Sequence, residues 1–75
     1  MRRTEEPMTN LYTAAAVLAA FSVSQLDAKI ERLEQECGEA GDLDAVKICR
    51  RALAGSQRAR RVCARWIADA AAASL

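Results

Sequence analysis

The side chains of this 75-residue chain that could do chemistry are three cysteines, Cys37, Cys49 and Cys63, and a run of cations from Lys47 to Arg65. Histidine is absent, so the chain has no imidazole to act as a base near neutral pH or to bind a metal. A Ser-His-Asp hydrolase and a His-containing zinc site are therefore excluded. The cysteines are odd in number, widely spaced and lack a tight C-x-x-C pair, which is not the four-ligand pattern of structural zinc. They read as reduced, buried small hydrophobes, with a Cys37–Cys49 bridge as the other reading. A thiol without a nearby base is usually inert packing. No catalytic residue, metal ligand or cofactor is assigned.

The cations are more informative. From Asp27 to Asp44 the acids Asp27, Glu31, Glu34, Glu36, Glu39, Asp42 and Asp44 are opposed only by Lys29 and Arg32. From Lys47 onward the sign reverses, with Lys47, Arg50, Arg51, Arg58, Arg60, Arg61 and Arg65 and no acid among them. Two readings follow. In one, an acidic helix lies beside basic ones and the faces attract weakly, at most about 1 kcal/mol per exposed pair. In the other, the cations form a recognition surface. Lys47, Arg50 and Arg51 approach the C-terminal end of their helix, where the macrodipole favours them. Arg58, Arg60 and Arg61 crowd the beginning of the next helix, where each cation is disfavoured by roughly 0.3–1 kcal/mol. An anion must offset that cost, either from the acidic helix, from an acidic partner, or from phosphates.

The elements that position these residues are helices. Apolar residues make up 52% of the chain, aromatics are confined to Tyr12, Phe21 and Trp66, and one Pro and three Gly interrupt it. That composition predicts an all-α fold, a small bundle of three to four helices closed by a C-terminal helix hairpin. Residues 1–8, with mixed charges and Pro7, read as an N-terminal arm, and 9–75 as a single helical domain. Thr9 or Asn10 could cap a first helix ending near Phe21. Ser24, with Asp27 three residues on, could cap a second that runs to about Glu39 and stops at Gly41. Asp42 caps a third, Leu43 to Ala54, with its exit at Gly55, and Ser56 caps a fourth, Gln57 to about Ala73.

The first two helices could also be one. Tyr12, Ala16, Ala19, Val23, Leu26, Ile30, Leu33 and Cys37 recur at alternating steps of four and three, an unbroken apolar seam if Ser22 to Ser24 stays helical. A single helix of about 28 residues would be roughly 42 Å long, too long for this domain to cover alone. It would favour a homodimer, with Tyr12, Val23, Leu26, Ile30 and Leu33 as the seam. In the hairpin, Ala45, Val46, Cys49, Ala52 and Leu53 form one stripe. Ala59, Val62, Cys63, Trp66, Ile67 and Ala70 form another, and Trp66 reads as its bulky core anchor or, in the competing role, as a hot spot on a partner-facing surface.

The apolar run Leu11 to Phe21 falls far short of the roughly 20 residues of a spanning helix. Glu5 and Glu6 cancel the charge of Arg2 and Arg3 ahead of it, so it reads as a core helix and not as a signal peptide. The segment Val46 to Ile67 has the helix–Gly–helix outline of a helix-turn-helix. Its turn is too short, however, and Arg61 stands where an apolar residue belongs. No aromatics interleave the basic residues to stack on bases.

The string Gly41-Asp42, Ala45-Val46, Cys49, Ala52-Leu53-Ala54-Gly55, Cys63, Ile67-Ala68-Asp69-Ala70 resembles the C-terminal half of small helical accessory proteins of bacteriophages and mobile elements. Anti-CRISPR inhibitors are the prominent class among these. The resemblance implies a non-enzymatic, cytoplasmic protein that binds and inhibits a larger host complex, and it assigns no residue. The residues themselves support an interaction module whose Arg-rich face meets an acidic or phosphate-bearing surface of a larger protein or ribonucleoprotein. A homodimer and a small nucleic-acid-binding protein are the alternatives. No membrane partner is expected.

Overall fold

A computed structural model describes residues 12–74, and they fold into four helices: α1 (Ala14–Ala20), α2 (Val23–Ala40), α3 (Leu43–Leu53) and α4 (Gln57–Ala73). Among the described residues there is no strand, and the all-α bundle expected from composition is what forms. None of these helices is long and apolar enough to cross a membrane. The 1–8 arm and the caps considered at Thr9 and Asn10 lie outside the described residues. α1 is capped instead by Thr13, whose hydroxyl accepts the Ala16 N–H at 3.1 Å.

Local chemistry sets the later boundaries. Gly41, at φ +80°, takes the left-handed conformation that ends α2 at little steric cost, and the Asp42 N–H then reaches back to the Cys37 carbonyl at 2.9 Å. Asp42 immediately caps α3 by accepting the Ala45 N–H. The same device recurs one helix later. Gly55 has φ +111°, the Ser56 N–H donates to Arg51 O at 3.0 Å, and the Ser56 hydroxyl accepts the Ala59 N–H. The junctions thus end one helix and begin the next within two residues (41–42) and three residues (54–56).

The continuous-helix reading is overturned at Phe21 and Ser22. Both are extended, at φ −111°, ψ 141° and φ −67°, ψ 168°. Ser22 opens α2 with a full capping box: its hydroxyl accepts the Gln25 N–H at 3.2 Å, and Gln25 Oε1 accepts the Ser22 N–H at 2.9 Å. Ser24 and Asp27 do not form the expected cap. The break has a clear physical benefit, because an unbroken rod would hold Val17 apart from the hairpin. Folding back places Val17, Leu26 and Ile30 in one cluster with Cys49, Ala52, Ala59, Cys63, Ala64 and Ala68.

α3 packs against both α2 and α4, and α1 packs on α4. The core is built from small side chains, and Ile30, Val17, Cys49 and Cys63 are the largest that are fully enclosed. Cys49 and Cys63 lie 3.9 Å apart, sulfur to sulfur, and all three cysteines are free thiols. The reduced, buried reading therefore describes Cys49 and Cys63. Cys37 is only partly covered, and the alternative Cys37–Cys49 bridge is not formed. Trp66 also departs from its expected place, being half-buried at the edge of the core.

Candidate binding surface at the end of the hairpin

Seven cations were singled out by sequence, and the structure sorts them by partner. Arg60 is the exception to the surface reading: it is buried, 9% exposed, with its Nη1 donating to Asp27 Oδ1 at 2.6 Å and to Ala52 O at 3.3 Å. The long side chain leaves the unfavourable start of its own helix and delivers its charge to the C-terminal turn of α3. There, carbonyl dipoles and a carboxylate of α2 receive it. Arg60 is thus an internal tie and not part of a recognition face. Arg50 is exposed but bonded to Glu34 at 2.8 Å, and Arg65 pairs loosely with Asp69, one turn on, at 3.6 Å.

Lys47, Arg51, Arg58 and Arg61 remain. All four are exposed, and among the described residues no carboxylate pairs with them. The tight Gly55–Ser56 turn brings Arg51, in the last turn of α3, to the same end of the bundle as Arg58, in the first turn of α4. Lys47 and Arg61 each lie about one helical turn further along their helices. The N–H groups of Gln57 and Arg58 at the start of α4 have no intrahelical acceptor, and the first turn of α4 holds no acid. Guanidinium forks and backbone donors of this kind match the oxygens of carboxylates and phosphates. Among the described residues, no group of three or more His, Cys, Asp or Glu is placed to hold a metal ion.

The thiols are placed for packing. Burial, with the neighbouring Cys63 adding to it, raises the Cys49 thiol to about 12, and burial raises Cys63 as well. Cys37 is also raised, by burial and by the carboxylates of Asp42 and Glu36. None of the three is poised as a thiolate near neutral pH.

The five seam residues are scattered. Leu26 and Ile30 are in the protomer's own core, Leu33 is half-buried, Val23 is 71% exposed at the start of α2, and Tyr12 lies exposed ahead of α1. They do not form one surface, because the kink at Phe21 and Ser22 turns α1 away from α2's line. A second surface takes their place. α2 and α4 diverge to leave an open groove of about 440 Å³. Leu33, Trp66, Ile67 and Ala70 give it an apolar floor, and Lys29, Arg32 and Glu36 give it a charged rim. Its α2 wall is visible in the sequence as Gln25, Ala28, Lys29, Arg32, Leu33 and Glu36, at helical steps of three and four. That stripe is largely polar, so a reading that follows apolar periodicity passes over it. No family model, curated protein or solved structure matches the chain.

Proposed function

We propose that this protein is a binding module without catalytic activity, and that Lys47, Arg51, Arg58 and Arg61 dock on an acidic or phosphate-bearing surface of a larger protein or ribonucleoprotein. The observation that carries this reading is selective neutralisation. Among the described residues, carboxylates pair with Arg50, Arg60 and Arg65 and with none of these four, of which Arg58 stands at the positive pole of α4. A cation cluster left uncompensated in this way costs stability in the free protein, and an anion provided by a partner recovers it. The likeness of residues 41–70 to phage accessory proteins agrees with a large, cytoplasmic host complex as that partner, inhibited by occlusion of the surface bound.

The test is retention of partners from a host lysate by the intact protein and by Arg58→Glu/Arg61→Glu, at low and moderate salt. Both residues are exposed, so helicity should be unchanged and the melting temperature should not fall, rising slightly as an acid replaces a cation in the first turn of α4, while retention falls at least tenfold and weakens with salt. Retention that survives charge reversal would refute the reading. Retained nucleic acid with a steep salt slope would move the assignment to direct phosphate binding.

A further inference from the structure

We propose that the groove between α2 and α4 is where two copies of this chain pair, α2 of each lying antiparallel in the groove of the other. The inference is independent of the cation cluster at the other surface. Its starting point is the placement of the largest side chain. Trp66, the sole tryptophan, is not among the enclosed core residues but stands half-buried in the groove beside Leu33 and Ile67. The enclosed core beneath is mostly alanine and cysteine, and the chain is only 17 Å across its shortest dimension. A small domain whose bulkiest apolar groups line an open groove gains further apolar burial from a second copy.

The charge pattern says that the occupant is the same chain. A two-fold interface must be self-complementary, each patch meeting itself in reverse. Lys29 and Glu36 stand on the groove face of α2, seven positions apart, a separation of about 10 Å along the helix, which is too far for them to pair with each other. Among the described residues, none pairs ionically with Lys29, Arg32 or Glu36, and Lys29 rests 4.8 Å over the Phe21 ring. Antiparallel α2 helices related by an axis beside Arg32 and Leu33 bring Lys29 of each copy level with Glu36 of the other. Arg32 then lies about 4.5 Å along the helix from that same carboxylate. The pairing occurs twice, at the two ends of the contact. Leu33 and Arg32 both lie next to the axis: Leu33, flanked by Trp66 and Ile67, supplies an apolar strip there, and the two Arg32 side chains that meet across the axis are each offset by a nearby Glu36 carboxylate.

Sedimentation equilibrium of the full chain from micromolar to several hundred micromolar tests this. The native protein should show a reversible monomer–dimer equilibrium, with Trp66 emission shifting to the blue as dimer forms. Lys29→Glu and Glu36→Lys should each weaken the dimer about tenfold by replacing both attractive pairs with repulsive ones, and the double exchange Lys29→Glu/Glu36→Lys should restore it. A native chain that stays monomeric throughout would overturn the proposal. So would single reversals without effect, or a double exchange no better than the singles. The native-chain titration does not depend on any variant folding, and none of these substitutions touches Lys47, Arg51, Arg58 or Arg61.

Discussion

Arg60 Nη1 lies 2.6 Å from Asp27 Oδ1, an ion pair between residues 33 positions apart that joins α4 to α2. The same nitrogen donates to Ala52 O, so one guanidinium ties together the three helices of the hairpin and its neighbour. The arginine end is nearly enclosed, at 10% side-chain exposure, while Asp27 keeps 38%. This asymmetry decides what substitution should do.

Arg60→Ala removes the tie and leaves the Ala52 carbonyl and the Asp27 carboxylate without their donor. Asp27 can be rehydrated, which limits the loss, so chemical denaturation should register about 1–3 kcal/mol, towards the lower figure. Arg60→Met keeps the packing of the stem and should cost less. Arg61→Ala, exposed and unpaired, should stay within about 0.5 kcal/mol of the native protein. Equal effects at 60 and 61 would contradict the assignment of Arg60 as internal.

The boundary between α1 and α2 rests on Ser22 and Gln25, not on Ser24 and Asp27. Ser22→Ala should therefore cost about 1 kcal/mol, read from a denaturant midpoint shift without a change in slope. Ser24→Ala should cost distinctly less, because among the described residues its hydroxyl bonds only to that of Ser22, at 3.3 Å. A larger loss at Ser24 would move the cap to where the sequence pattern first suggests it.

Cys49 links folding to alkaline pH. Its folded thiol is raised to about 12, so the folded state holds its proton after the unfolded chain has released it. The stability is fully present below the unfolded thiol's range and is lost as pH climbs from there towards about 12. Unfolding free energy should fall along that limb, and Cys49→Ala should flatten the fall by up to about 1.4 kcal/mol per pH unit whatever its effect at neutral pH. An unchanged alkaline slope in the variant would show that the thiol is not the group responsible.

The helices themselves and both hairpin junctions were legible in the linear chain because their causes are local. Gly41 and Gly55 can take positive φ, and Asp42 and Ser56 can reach an N–H three residues on, without reference to anything distant. Ser22-x-x-Gln25, which forms the cap, fits the same S-x-x-polar pattern as the expected Ser24-x-x-Asp27, and local chemistry alone does not rank the two. Burial does: Val17 reaches the cluster containing Leu26 and Ile30 only if the chain straightens at Phe21 and Ser22, and that choice frees Asp27 to meet Arg60.

The candidate surface divides along the same line. Charge segregation, the absence of imidazole and the cations crowding the start of α4 are properties of the amino-acid order, and they are enough to exclude whole classes of chemistry. Which of those cations face solvent is a different matter, since an arginine's stem is long enough to carry its charge to a neighbouring helix. Packing alone determined that Arg60 turns inward while Arg58 and Arg61 do not. It likewise left Trp66 lining a groove, because filling an interior with alanine and cysteine draws helices too close together to admit an indole between them.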